Sequence, residues 1–373
     1  MDKTRVVNII TDLNVGGAGK VLQNFYSNCD YDKFEHWVIV PRGSALIGIL
    51  KDKGPRVVAF EHLEAKSFSP KSIGPLFKLI KKINPDIVHT HACLSGRIAA
   101  SFKKDIKVIY TRHCVFEPGR LAKSFIGRII GKTVFRLFAD RAIAITPASM
   151  KNLTATGIPG NSIDVLMNGT EPLQKMSAMD IAEARQSLGI RESDFVFTML
   201  GRIEEIKGHR YFIKAARIVQ KTSDNARFLI VGEGTIENEL EKMAMDSGDS
   251  IIFTGFMKDV YKAMNVSDVL VNASYGTEAS SLAVIEAMSL GKPVIASDYG
   301  GNPYQVENNV TGLIVPQKDE ISLAEAMIML MNDRKLYERM SAGSMEAFKG
   351  KFTAAIMAAN IEEIYRKLVS RDV

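Results

Sequence analysis

Cysteine is scarce and odd in number: Cys29, Cys93 and Cys114 are the three that the 373-residue chain carries. An odd set of three argues against a disulfide framework, so a reducing cytoplasm is the expected setting. Paired Cys-x-x-Cys and His-x-x-x-His spacings are also missing, which argues against a structural zinc site. Residues 1–10 have no apolar core of a secretion signal, and the run over 6–11 is only a strand's length. No stretch reaches the roughly 18 apolar residues of a membrane span. Internal repeats and low-complexity segments are absent, which excludes a solenoid or a disordered chain. In a reducing compartment, Asn-x-Ser/Thr triplets such as Asn152-Leu153-Thr154 are chance matches.

What is present is ordinary soluble material, 46% hydrophobic and 24% charged. The length suggests two domains rather than one. Charge is unevenly divided. Residues 1–170 hold 25 Lys/Arg against 13 Asp/Glu, a net of +12, and the remainder holds 23 against 29, a net of −6. A basic half beside an acidic half suggests that the first half faces something anionic, either nucleic acid or a membrane surface.

The most informative stretch runs from 266 to 301. Val266-Ser-Asp-Val-Leu-Val-Asn-Ala-Ser274 has the apolar run of a buried parallel strand. Ser280 and Ser281 suit a helix start, residues 282–290 read as the helix, and Gly291 with Pro293 stops it. Val294-Ile-Ala-Ser297 is the next strand, closing a βαβ unit. Glu278 and Glu286 stand eight apart across the loop-to-helix junction. A helix start attracts an anion, and carboxylates on either side of it accept hydrogen bonds from hydroxyls. A nucleotide-sugar, anionic in the middle and hydroxylated at both ends, fits that arrangement. Two helical glutamates alone would otherwise be solvated surface.

Glu278-x7-Glu286, followed by Ala287-Met288, Gly291-Lys-Pro-Val-Ile-Ala296 and Gly300-Gly301, resembles the signature of the retaining glycosyltransferases of family four. The resemblance implies an α/β chain of the GT-B type, two Rossmann-like domains whose parallel sheets face each other across a cleft. The boundaries expected are 1–170 for an N-terminal acceptor domain, joined by a C-terminal helix at about 352–373, and 171–351 for a C-terminal nucleotide-sugar domain. Further matches support it. Gly201-Arg202 and Lys207-Gly208 resemble the family's Gly-Arg and Lys-Gly pair, on a loop between the strand at 195–200 and a helix at 209–221. Two cations at a strand end can neutralise a diphosphate without a metal, although a salt-bridged surface loop would give the same residues. Val310-Thr-Gly-Leu-Ile-Val-Pro316 resembles the family's next strand, and helix is expected from 321 on, with the last one over about 352–371.

The N-terminal half reads as strands at 5–10, 36–40, 56–60, 85–91, 107–111, 142–146 and 163–169, with a helix over 72–83. Asn14-Val-Gly-Gly-Ala-Gly-Lys20 is a glycine-rich turn into a helix from Val21. It lacks the opening Gly and the Ser/Thr of a P-loop, and Asn14 replaces the leading Gly of a dinucleotide fingerprint. It is either a tight turn with no ligand or, by the resemblance, a cleft loop in which Gly16 and Gly17 match the family. His89, His91, Cys93, His113 and Cys114 gather at two strand ends, where α/β sheets hold ligands. Thr111-Arg-His113 resembles the family's strand-end histidine beside the donor sugar. Cys114 stands where the family often has Asp. Residues 120–141 are cationic and amphipathic, with Phe125, Ile126, Ile129, Ile130, Phe135, Leu137 and Phe138 on the apolar side. A core-packed helix and a membrane-surface helix both satisfy that pattern. The polar stretch 172–194 suits an interdomain connection. Asp30-Tyr-Asp32 matches the Asp-x-Asp of metal-dependent glycosyltransferases but sits among turn residues, and is taken as a loop accident.

The resemblance implies catalytic roles for His113, Arg202, Lys207 and Glu278. It gives donor binding to Gly16, Gly17, Glu286 and the backbone of Ala279, Ser280, Ser281 and Leu282. No metal, cofactor or protein nucleophile is expected. The expected partners are a nucleotide-sugar, with UDP favoured over GDP, a lipid-linked or glycan acceptor, and an anionic membrane surface at the inner face of the cell membrane; nucleic acid is not among them. Ser280-Ser281 replace a common Phe-Gly, Tyr304 replaces a common Glu and Thr170-Glu171 a common Val-Asp, so the donor sugar is not inherited from the family. A soluble small-molecule glycosyltransferase, a nucleotide-sugar epimerase and a non-catalytic scaffold are the alternatives.

Overall fold

Thirteen short apolar runs become two parallel sheets in the computed structural model, which describes residues 3–115 and 117–370, the side chain of residue 246 excepted. The first sheet comprises β1 (Thr4–Ile10), β2 (Phe34–Pro41), β3 (Arg56–Phe60), β4 (Ile87–His91), β5 (Lys107–Arg112), β6 (Arg141–Ala144) and β7 (Ile163–Val165). Their order is β3-β2-β1-β4-β5-β6-β7, every neighbouring pair parallel. The second comprises β8 (Phe195–Leu200), β9 (Ala226–Val231), β10 (Ile251–Phe253), β11 (Val269–Asn272), β12 (Val294–Ser297) and β13 (Gly312–Val315), in the order β10-β9-β8-β11-β12-β13. Parallel strands must be joined by crossovers, so helices cover both faces and the strands are apolar almost throughout. Val6, Val7, Ile9 and Ile10 of β1 and Phe197 of β8 are fully buried.

The chain divides into two units. One runs to Thr170 and resumes at Thr353, and the other spans Glu171 to Phe352. The return is secured within the first unit. Helix Ala354–Val369 begins where Ala354 N donates to Thr170 O at 2.9 Å, and it places Tyr365 and Glu362 in that unit's interior. The expected end of this helix at Arg371 lies outside the described residues. In each sheet the strand order reverses once, between β1 and β4 in the first and between β8 and β11 in the second. The carboxyl ends beside such reversals are where open α/β sheets form their ligand crevices.

Several local expectations are corrected. The helix expected from Val21 starts at Gly17, with Gly16 at its N-cap and no side-chain cap. The segment 172–194 contains a helix, Ala178–Ser187, capped by Ser177. Arg185 fastens it by donating to Asp268 Oδ2 and Val266 O, both at 2.9 Å. Val266 ends a helix, Val260–Val266, rather than starting a strand, and β11 begins three residues later. Residues 120–141 fold as two helices, Arg120–Lys123 and Phe125–Phe138, broken at Ser124, with Arg141 already in β6.

Candidate functional site

In the second unit, two loops meet at the β8/β11 reversal. Gly208 sits at φ +83°, and a Cβ there would lie 2.1 Å from Ala273 O. Only glycine permits this approach. Tyr275 N donates to Ile206 O at 2.9 Å, which ties the loops together. The result places Lys207 Nζ 2.8 Å from Glu278 Oε2, and Ser274 Oγ donates to the same oxygen at 3.1 Å. Glu278 is buried and Lys207 about a quarter exposed.

A second layer holds the Glu278 loop. Ser274 N donates to Asn272 Oδ1 at 3.2 Å, and Ser274 O accepts from Ser297 Oγ. Asn302 Nδ2 donates to Ser297 Oγ at 3.0 Å, and Asn272 Nδ2 to Asn302 Oδ1 at 3.3 Å. Gly301 N donates to Glu278 O at 3.0 Å, and a Cβ on Gly300 (φ +61°) would fall 2.0 Å from that carbonyl. Thr277 itself takes φ +54°, so the residue before Glu278 is held in a conformation uncommon outside glycine. A buried network in which each polar group is satisfied fixes one geometry.

Helix Leu282–Ser289 starts beside this loop, with buried Glu286 on its second turn. Ser281 N, at the N-cap, donates to Gln305 Oε1 at 2.7 Å, and Gln305 Nε2 donates to Ser281 O at 3.1 Å. Gln305 therefore occupies one of the amides that the sequence assigns to an anion. Ala279 is buried, and Ser280 Oγ is a buried hydroxyl without a hydrogen-bond partner among the described residues. Leu282 opens the helix.

Arg202 does not join Glu278. It is 76% exposed, and Nη1 pairs with Glu204 Oε1 at 2.8 Å. Lys207 and Glu278 instead line a small cavity together with Gly201, Asn272, Ser274 and His209. Sequence reasoning passed over His209. It is 1% exposed and neither ring nitrogen has a hydrogen-bond partner among the described residues. Burial, aided by the Lys207 charge, holds its pKa down at about 4.

In the first unit, Gly16 and Gly17 stand where β1 feeds helix Gly17–Tyr26. A side chain on Gly17 would meet nothing within 4 Å, and one on Gly16 only Asp12 Oδ2 at 3.7 Å. Packing does not demand glycine at either position, and its absence of a side chain leaves the backbone open. Gly19 differs, since a Cβ there would lie 2.7 Å from Leu46.

The strand-end histidines lie in two hydrogen-bonded chains. His91 Nδ1 lies 2.8 Å from His113 Nε2, and His91 Nε2 lies 3.0 Å from Asn8 Oδ1. His89 Nε2 is 2.7 Å from Thr111 Oγ1, and its Nδ1 is 2.7 Å from Tyr365 Oη. Burial lowers all three imidazoles, His113 to about 4 and His89 to about 3, with His91 well below its ordinary value. Neutral rings result. Cys93 takes a different part, its sulfur accepting from Gly96 N at 3.3 Å as the cap of helix Leu94–Ser101. Cys114 is half-buried, and burial raises its thiol pKa.

Among the described residues, the side chains whose potential ligand atoms gather are a different set. The potential ligand atoms of Cys29, His36 and Glu362 lie within 4.8 Å of one another. Burial pushes the Cys29 thiol up to about 12 and raises Glu362 as well, which favours the protonated rather than the ligating forms. Asp30 Oδ2 pairs with Lys33 at 2.7 Å, a use that belongs to the turn.

The family model described as Glycosyltransferase Family 4 matches residues 15–172, and the one described as Glycosyl transferases group 1 matches residues 180–346. The chain is 28% identical over 318 residues to UDP-Gal:alpha-D-GlcNAc-diphosphoundecaprenol alpha-1,3-galactosyltransferase of Escherichia coli, covering 80% of each. It is 25% identical over 300 residues to the amylovoran biosynthesis glycosyltransferase AmsK of Erwinia amylovora, covering 77% of this chain and 72% of that one. Among solved structures, HepE of Anabaena, crystallised with UDP, superposes with a TM-score of 0.84 at 21% identity, over 98% of this chain and all of that one.

Proposed function

The chain belongs to the glycosyl transferases group 1 family, with the GT-B architecture of two parallel-sheet α/β units, and we propose that it transfers a hexose or N-acetylhexosamine from a nucleotide diphosphate sugar. UDP is the favoured nucleotide, and the acceptor is a lipid-linked or cell-surface glycan precursor. The observation that carries this reading is the Lys207–Glu278 pair at 2.8 Å, set on the Asn272–Asn302–Ser297–Ser274 network at the β8/β11 reversal. The Escherichia coli relative, named for a UDP-sugar donor and a diphosphoundecaprenol-linked acceptor, supports the choice of both.

In this proposal the second unit holds the donor. Glu278 accepts hydrogen bonds from sugar hydroxyls, Glu286 from the ribose, and the backbone from Ala279 to Leu282 supports sugar and phosphate, Ser281 N by exchanging Gln305 Oε1 for an oxygen of the nucleotide-sugar. Lys207, already fixed by Glu278, neutralises the diphosphate, and solvent-exposed Arg202 exchanges Glu204 for phosphate oxygens. Charge accumulates on the departing diphosphate, so fixed cations lower the barrier most there. The C1–O bond to the diphosphate breaks while an acceptor hydroxyl oxygen bonds to C1 on the same face. That hydroxyl's proton goes to a phosphate oxygen of the leaving group. The stereochemistry is thus retained and neither a protein nucleophile nor a metal ion is used. The first unit serves the acceptor, and within it Gly16 and Gly17 are assigned to donor binding and neutral His113 to positioning the donor sugar.

Thermal-shift titration with UDP-, GDP- and ADP-sugars tests the donor assignment. A shift from the UDP-sugar alone, lost in Arg202→Ala and Glu286→Ala, is the expected result. Equal shifts in parent and variants would remove these residues from donor binding. No shift from any of the three nucleotides would remove the donor reading itself.

A further inference from the structure

Helix Phe125–Phe138 is mounted the wrong way round for a core helix. Its inner face is built from glycine. A Cβ on Gly127 would lie 2.0 Å from Leu121 O and one on Gly131 2.0 Å from Thr156 O, and Gly157 approaches Arg128 O in the same way. Phe135, against Tyr110, is the buried aromatic of that face. Rotating the helix to bury other side chains would separate these backbone contacts. The opposite arc therefore stays outside. Leu121 is 85% exposed, Phe125 81% and Ile126 69%, and Ile129, Ile130 and Leu137 are also exposed. At 3.6 residues per turn, positions 125, 129, 126, 137 and 130 fall on one arc, which Arg136 and Thr133 share. A core-packed helix, one of the two readings of this stretch, would have buried that arc.

The arc is fringed by one sign of charge. Arg120, Lys123, Arg128, Lys132 and Arg136 are exposed, and residues 118–139 contain no Asp or Glu. Glu117, just outside, pairs with Lys123. A second copy of this chain would bring five cations against five, so like-charge repulsion opposes self-association through this face. An apolar ridge flanked by cations fits an anionic lipid surface, where the ridge enters the acyl boundary and the cations meet headgroup phosphates. Among the described residues no helix is long and apolar enough to cross a membrane, so the helix would lie in the interface.

We propose that the arc formed by Leu121, Phe125, Ile126, Ile129, Ile130 and Leu137, with its basic fringe, docks the first unit on an anionic bilayer. The proposal rests, for its purpose, on the reading that the acceptor is lipid-linked: docking presents the first unit to the leaflet that carries it.

Flotation of the full chain with phosphatidylcholine vesicles, with and without phosphatidylglycerol, tests the docking. The parent is expected to co-float with anionic vesicles about tenfold better than with neutral ones, and less as salt is added. Phe125→Glu/Ile129→Glu is expected to abolish co-flotation with an unchanged melting temperature and unchanged nucleotide binding, because both positions are exposed. Arg128→Gln/Lys132→Gln should weaken co-flotation to the neutral-vesicle level. Equal flotation of parent and Phe125→Glu/Ile129→Glu, or none by the parent, overturns the proposal. So does a parent dimer that this variant dissolves, if no vesicle binding accompanies it. Sugar transfer to a detergent-dispersed lipid acceptor is measured alongside. Transfer without flotation would overturn the docking face and leave the transferase reading standing. Flotation without transfer from any nucleotide-sugar would leave the docking face supported and remove the acceptor reading.

Discussion

His91 Nδ1 faces His113 Nε2 at 2.8 Å, and this contact decides which nitrogen of His113 carries the hydrogen. Asn8 Oδ1 can only accept, so the hydrogen of His91 sits on Nε2 and its Nδ1 is a lone pair. His113 Nε2–H donates to that lone pair, which leaves His113 Nδ1 as an acceptor. Replacing His91 with Ala should therefore lower kcat about tenfold or more while leaving binding of the free nucleotide, assigned to Glu286 and the cations of the second unit, unchanged. His91→Gln, which can still accept from His113, should recover part of the loss. Steady-state kinetics with a separate donor titration checks this, and an equal effect on both parameters would reduce His91 to a packing residue.

Removing Lys207 acts twice. Lys207→Met leaves the Glu278 carboxylate buried with Ser274 as its one side-chain partner among the described residues, at a cost of about 1–3 kcal/mol in denaturant unfolding. It should also reduce kcat/KM by about a hundredfold, because the diphosphate loses a fixed cation. Arg202→Ala, by contrast, removes an exposed pair and should leave stability within about 0.5 kcal/mol while affecting turnover.

Gly300 is expected to tolerate no side chain. Gly300→Ala combines φ +61° with a Cβ 2.0 Å from Glu278 O, so the glutamate loop must move. A loss of about 2 kcal/mol or more in stability, with weakened nucleotide binding, is predicted from calorimetry. Gly17→Ala, whose Cβ would meet nothing within 4 Å, should leave stability essentially unchanged.

Five buried histidines set a pH dependence, His36 and His209 together with His89, His91 and His113, all held below their ordinary value by burial. Burial holds His36 and His209 near a pKa of 4, against an ordinary value of 6.5. Between those values the unfolded chain takes up protons that the folded chain refuses, so stability rises with pH there and falls as pH drops from 7 toward 4. By pH 5 each group should have cost on the order of 2 kcal/mol. Melting temperatures measured from pH 7 to 5 should decline, and His36→Phe, with a ring kept among Phe25, Tyr26 and Phe34, should make the decline shallower by that one group's share. An unchanged slope would contradict the assignment.

The parallel sheets were legible because buried parallel strands are continuous apolar runs, as Val294–Ser297 shows. Helix Ala178–Ser187 was not, since it buries no residue and its polarity reads as linker. Helix Val260–Val266 was hidden by buried Ala263, Met264 and Val266 running almost directly into β11. For Phe125–Phe138, periodicity gave the apolar arc but not its direction. That direction depends on backbone contacts of Gly127, Gly131 and Gly157, and the spacing of the two helix glycines was the available clue. Within the candidate site, motif residues such as Lys207 and Glu278 stand out in the sequence. The groups that hold them do not, because Asn272 and Asn302 meet across thirty residues and Gln305 reaches back to Ser281.

The most direct measurement follows radiolabelled sugar from a UDP-sugar into membrane lipid extract, comparing the parent with Glu278→Gln. The account predicts label in the organic-soluble fraction with the parent, at least about a hundredfold less with the variant, and an α-configured product from an α-configured donor. UDP release that yields only free sugar, or turnover unaffected by Glu278→Gln, would contradict it.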